Sequence, residues 1–425
     1  MKKIIFLVFG IALLINACQL KTNGLESLLE NSEQLKAQII TPDSSNFNKS
    51  WLIMFQQPLD HANPEKGHFM QRIWLSHKDA SAPTVMVTEG YSANRKYTSE
   101  LAKLLNANQI IVEHRYFEES CPDSLDWQYL TVEQAANDHH RIIQYFKQHY
   151  KGKWLTTGIS KGGQTSIYHR ALFPNDVDVS VPYVAPINLS REDQRVFDFF
   201  HEVGTVEDRA KIHAFQKAVL EQREEILPMF ESYATDKGYT FRMGVEQAFD
   251  LVVLEYPFSF WQWHGQLESI PQNTASTSDL FEHLKNKSDI SYVADQSWDG
   301  MKPFFYQAYV ELGYYAYVAS EFDGLITSFE QDTISSCLFA PGGESLVFDE
   351  STMADVMKSL RNNQPEIMAI VGDDDPWGAT ALPEDEIPNT IVVRKIKGNH
   401  RTRINNLPKE QKDKVLSQLN EWINK

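Results

Sequence analysis

The sequence predicts an α/β fold: a mostly parallel sheet with helices on both faces, interrupted by a large helical cap. Two observations predict it. From residue 51 to about 188, and again from about 353 to the end, short apolar runs alternate with amphipathic helices. Between them, residues 191–345 are long, helix-rich and aromatic, with no strand rhythm. Strands separated by helices imply parallel pairing, because the chain must cross over between neighbours.

The elements follow in order. Stretches 51–57 and 69–77 read as strands, as do the apolar runs 84–88 and 109–113. Between 131 and 150 the apolar positions fall at 132, 135, 136, 139, 142, 143, 146 and 150, which is one face of a helix with a 3.6 period. Strand 154–157, helix 162–172 and strand 177–184 complete the first part. After the insertion come a helix at 353–360, strands at 367–371 and 391–396, and a closing helix at 408–423 with Pro408 near its first turn. The expected organisation is therefore 1–17 leader, 18–45 tether, 46–190 first part of the core, 191–345 cap and 346–425 second part of the core.

Composition bounds the function. With 42% hydrophobic and 23% charged residues the chain is globular rather than disordered. A net charge of −17 argues against nucleic acid as partner, since phosphate binding needs clustered Lys and Arg. Lys2 and Lys3 precede an apolar run at 4–15 that is too short to span a bilayer. Ile15-Asn16-Ala17-Cys18 then resembles a bacterial lipoprotein cleavage box, with Cys18 as the lipidated N-terminus; an ordinary secretory signal cut near Ala17 is the alternative. Either reading exports the chain, and the membrane is a partner only through that lipid. Export permits a disulfide between Cys121 and Cys337, or leaves two thiols. There is no HExxH, P-loop, GxGxxG or CxxC, so no metal or nucleotide cofactor is implied.

Gly158-Ile159-Ser160-Lys161-Gly162 matches G-x-S-x-G between a strand and a helix, which makes the fold an α/β-hydrolase. A serine at that turn adopts strained backbone and projects its hydroxyl from the sheet, while small neighbours allow the tight turn. The N–H of Lys161 then points at a developing oxyanion; the Lys161 side chain either raises the local positive potential or, as is commoner at that position and expected here, faces solvent. A serine hydroxyl needs a base and an orienting acid. Strand 367–371 leads into Asp373-Asp374-Asp375-Pro376-Trp377, and strand 391–396 into Gly398-Asn399-His400. His400 is the only one of 13 histidines with this placement. Asp375 is preferred as the acid because Pro376 and Trp377 hold its backbone, with Asp374 next. A second oxyanion donor is expected from Glu89-Gly90-Tyr91, through the N–H of Tyr91.

Gln57-Pro58-Leu59-Asp60-His61, Val112-Glu113-His114-Arg115-Tyr116-Phe117, Gly158-Ile159-Ser160-Lys161-Gly162-Gly163 and Asp375-Pro376-Trp377 together resemble the bacterial prolyl tripeptidyl aminopeptidases. Those are secreted serine peptidases, distant relatives of Pro-Xaa carboxypeptidase and dipeptidyl peptidase II. The resemblance runs from about residue 50 to the end. It implies a helical cap, a triad of Ser160, Asp375 and His400, and release of short peptides, with proline before the cut, from free N-termini.

The cap supplies what such a substrate needs. Aromatics crowd 256–264 and 306–317, and Trp261 is a candidate wall for a proline ring. Glu89, Glu113, Glu255 and Glu311 are candidates to hold a cationic N-terminus. Two alternatives stay open: an esterase or lipase on the same fold, and an inactive lipoprotein that binds peptides with its cap.

Overall fold

The computed structural model describes residues 24–263, 265–322 and 324–425. The leader and Cys18 lie outside the described residues. Eleven strands are present among them: β1 (Leu35–Ile40), β2 (Lys49–Pro58), β3 (His68–His77), β4 (Thr84–Thr88), β5 (Asn108–Val112), β6 (Trp154–Ile159), β7 (Val179–Tyr183), β8 (Ala316–Val318), β9 (Thr333–Ser335), β10 (Ile367–Gly372) and β11 (Thr390–Lys395). Nine of them form one sheet in the order β1-β2-β3-β5-β4-β6-β7-β10-β11. The pairs from β1 to β5 are antiparallel, and those from β5 through β4 to β11 are parallel. This is an α/β-hydrolase sheet. Strand order reverses at β4, which opens a crevice above the carboxyl ends of β4 and β6, the place where such sheets bind ligands.

Burial explains which strands were legible. Every residue of β4, β5, β7 and β10 is buried, as expected for strands covered on both faces. Helices Val132–Phe146, Lys161–Leu172 and Glu350–Asn363 cover one face, through Val132, Ile167 and Met353. Helices Glu100–Leu104 and Lys409–Asn424 cover the other, through Leu101, Leu419 and Trp422.

One expectation changes. The segment read as a tether instead carries a short helix, Leu25–Glu30, and the edge strand β1, paired with β2 from Leu35↔Phe55 to Ile40↔Ser50. Leu25, Leu29 and Leu35 join the core under β2, so this stretch is part of the domain. Of the two alternatives for Cys121 and Cys337, the structure has separate thiols.

The cap is helical, as expected. Gln194–Glu202, Val206–Glu221, Arg223–Lys237, Val245–Gln262, Thr277–Lys287 and Asp295–Gln307 are α-helices, and Ala308–Leu312 is a π turn. Strands β8 and β9 form a small ribbon within it. The core of the cap runs into the domain below at Phe117 and Trp377. Among the described residues, no helix is long and apolar enough to cross a membrane.

Candidate active site

Ser160 sits between β6 and the helix Lys161–Leu172 at φ 56°, ψ −127°, a conformation costly for a side chain-bearing residue. The surroundings enforce it. The Ser160 N–H donates to the Tyr183 carbonyl at 2.9 Å, and the Ser160 carbonyl accepts from Gln164 N–H at 2.9 Å. A Cβ on Gly158 would lie 2.2 Å from the Gly162 carbonyl oxygen, so the turn closes only with glycine there.

The other two members arrive on adjacent strands. β10 and β11 pair in parallel register with Gly372 opposite Lys395, so the loops that follow leave the same sheet edge side by side. Asp375 Oδ2 meets His400 Nδ1 at 2.7 Å, with Asp375 wholly buried and His400 nearly so. Pro376 opens a short 3₁₀ turn that Asp375 caps, its Oδ1 accepting from Trp377 N–H at 3.2 Å. Asp374 instead uses its N–H to hold the Gly398 carbonyl, and Asp373 its N–H to hold that of Lys395. The His400 loop is fixed from three sides. Arg403 donates to the His400 carbonyl at 3.1 Å, Glu100 accepts from the N–H groups of Ile404 and Asn405, and the His400 N–H donates to the Gln262 carbonyl of the cap. The cap's Trp263 sets its ring edge-on to His400, centroids 5.4 Å apart.

Tyr91 approaches Ser160 in a way the sequence did not suggest. Burial pushes its phenol up to about 12, and the neighbouring Ser160 side chain opposes that rise. From Tyr91 an aromatic arc continues through Phe304 (5.4 Å) and Tyr314 (5.5 Å from Phe304) to Trp377 (5.3 Å from Tyr314). Tyr315 and Phe258 complete it, stacked on each other at 4.0 Å and both against Trp377. The arc thus runs from the neighbour of Ser160 to the neighbour of Asp375. Only the density of aromatics in the cap hinted at it, because its members come from four separate segments.

Lys161 contradicts expectation. Its side chain is 2% exposed, not solvent-facing, and Nζ donates to the Gly90 carbonyl at 2.7 Å. Burial drives its pKa well down, and the Glu311 carboxylate opposes that.

The four glutamates separate. Glu113 is withdrawn as a binding group: wholly buried, it is paired with Arg72 and accepts from Ala93 N–H (2.7 Å) and Ser120 Oγ (2.8 Å). It belongs to the polar scaffold beside Arg115, which grips Asp138 through two bonds of 2.7 Å while His61 takes the same carboxylate. The segments around residues 57–61 and 112–117 are thus a buried framework. Glu89 is half-buried and accepts from the Tyr97 hydroxyl at 2.6 Å. Glu311, on the π turn, accepts from Val132 N–H at 2.7 Å, and burial raises it to about 7. Glu255 stands at the end of the aromatic arc. It accepts from Tyr315 OH (2.8 Å) and Ser259 Oγ (3.1 Å), burial raises it to about 7, and no ion pair holds it among the described residues. Trp261 lines a 470 Å³ cavity within the cap, together with Leu254, Phe258 and Tyr315; Ser160, Asp375 and His400 are not in its walls.

A model of the family described as PS-10 peptidase S37 matches residues 39–425. The chain belongs to this family. It is a serine peptidase. A prolyl tri/tetrapeptidyl aminopeptidase from Streptomyces mobaraensis is 33% identical over 390 residues, spanning 88% of this chain and 80% of that one. The lysosomal Pro-X carboxypeptidase of Mus musculus is 28% identical over 168 residues, 35% of this chain and 34% of that one. Among solved structures, a proline iminopeptidase from Mycobacterium smegmatis aligns with a TM-score of 0.45 at 12% identity, covering 87% of this chain and 98% of that one.

Proposed function

We propose that the protein is an exported aminopeptidase that releases short peptides, tripeptides ending in proline foremost, from free N-termini. Ser160 attacks the carbonyl and His400 takes its proton, while Asp375 holds the imidazole in the required tautomer and stabilises its charge. The N–H of Lys161 and a group of Tyr91, its N–H or its hydroxyl, receive the oxyanion. The His400 imidazolium then protonates the leaving amine, and water releases the acyl-enzyme by the same steps in reverse order.

The single observation that carries the substrate class is Glu255. A buried carboxylate held only by hydroxyls is costly, and a substrate ammonium arriving there would offset that cost with a charge-assisted pair. The aromatic arc between it and Ser160 suits the flat, apolar proline ring. The Streptomyces relative's activity agrees with this reading. Cys18 is proposed as the lipidated N-terminus that tethers the exported enzyme to a membrane.

Acetylating the N-terminus of a good prolyl tripeptide anilide tests the reading. The pair with the ammonium contributes on the order of 1.5–3 kcal/mol, so kcat/KM is expected to fall roughly ten- to a hundredfold or more. Equal cleavage of both peptides at the same bond would overturn it in favour of an endopeptidase or esterase.

A further inference from the structure

We propose that Lys161 is a positioning residue for the oxyanion site, its side chain fixing the Gly90–Tyr91 peptide that is packed on the turn carrying Ser160. The proposal rests on Ser160 being the nucleophile.

The geometry begins with a close approach. Gly90 lies so tightly on the elbow that a Cβ there would sit 2.6 Å from the Gly162 nitrogen and from two atoms of Lys161. The loop is therefore laid on the same backbone that carries the nucleophile. Lys161 Nζ reaches up to the Gly90 carbonyl at 2.7 Å. In a trans peptide the C=O and the following N–H point in opposite directions, and the described residues contain no cis bond. Holding the Gly90 oxygen therefore fixes where the Tyr91 N–H points. The next peptide is held too, since the Tyr91 carbonyl accepts from His114 N–H at 3.1 Å.

The ring of Tyr91 is also in reach: Nζ lies 5.8 Å from its centroid and 5.6 Å from that of Phe117. A single residue thus gives its own N–H as one donor and orients the residue that gives the other. A hydrogen bond to the Gly90 oxygen also polarises that peptide and strengthens its N–H as a donor. Charged or neutral, the amine keeps an N–H for this bond.

Burying a lysine with one carbonyl as its bonded partner is expensive, and a structural role would be met more cheaply by an apolar side chain. Lys161→Met keeps the length and the packing but removes the donor. Its kcat is expected to fall on the order of 10²–10³-fold, as for loss of one oxyanion donor, with KM within about threefold. A peptide boronate, whose oxygen occupies the oxyanion position, should lose affinity by a similar factor, while the released peptide product binds as before. Lys161→Gln, too short to reach Gly90, carries the same expectation if the Met variant does not fold. Assaying both a prolyl peptide anilide and a small ester keeps the result readable if the substrate assignment fails. Unchanged kcat in a folded variant, or kcat and product affinity falling together, would overturn the proposal. Full activity in Ser160→Ala would overturn it along with the nucleophile assignment.

Discussion

Asp374 and Asp375 are neighbours in sequence but do different things. Asp375 presents a carboxylate to His400, whereas the N–H of Asp374 ties its turn to the Gly398 carbonyl. Asp375→Asn is expected to lower kcat on the order of 10⁴-fold by disfavouring the working tautomer, and Asp374→Asn far less; steady-state kinetics on one prolyl substrate compare them. A crippled Asp374→Asn beside a nearly normal Asp375→Asn would reverse the assignment. Glu113 and Glu255 separate in the same way. Glu255→Gln should raise KM for a free-amine peptide, with the acetylated peptide little affected. Glu113→Gln should instead lower the melting temperature, because Arg72 would lose its buried partner. The sequence made the Asp375–His400 pair legible, and the turn that carries Ser160, because each sits at a strand's end, where local pattern predicts position. It did not reveal the Tyr91 hydroxyl or the path of the Lys161 side chain, since both depend on how two loops stack, and no periodicity encodes that.

At the scale of elements, the buried strands were readable to within a residue or two because continuous apolar runs mark strands covered on both faces. β1 was not: of its six residues only Leu35 is buried, so it carries no alternation. The helix Val245–Gln262 shows how an element can tie stability to pH. Glu255 on it, and Glu311 on the π turn, are raised by burial to about 7, against about 4.3 in an unfolded chain. Between those values the native state holds protons that the unfolded state has released. Their contribution to stability is complete below about 4.3 and is lost as pH rises through 7. Buried histidines act oppositely: His139 and His283, lowered to about 4, favour the native state as pH rises from there to their ordinary value. The difference between wild type and Glu255→Gln isolates the glutamate. Wild type should lose on the order of 3 kcal/mol relative to the variant between pH 4 and pH 8. Parallel unfolding profiles in denaturant across that range would show that Glu255 titrates normally.

The whole molecule is a sheet whose strand ends carry the proposed nucleophile Ser160 and the bonded pair Asp375–His400, with a helical cap docked against His400. The His400 N–H bonded to Gln262, and Trp263 set against His400, fasten the cap to the catalytic edge. A roofed site admits a chain end more readily than a folded surface. A natively folded globular protein is therefore expected to resist cleavage under conditions that consume a prolyl tripeptide anilide, as intact-mass spectrometry would show. The division into core, cap and core was readable from composition, but where the cap meets the core was not, because Phe117 and Trp377 join the cap's apolar cluster from distant segments. The most direct test of the account is reaction of the full chain with a fluorophosphonate, followed by mass spectrometry. One adduct per chain, located on Ser160 and lost in Ser160→Ala together with peptidase activity, is the predicted result. An adduct on another serine, or full activity in Ser160→Ala, would contradict it.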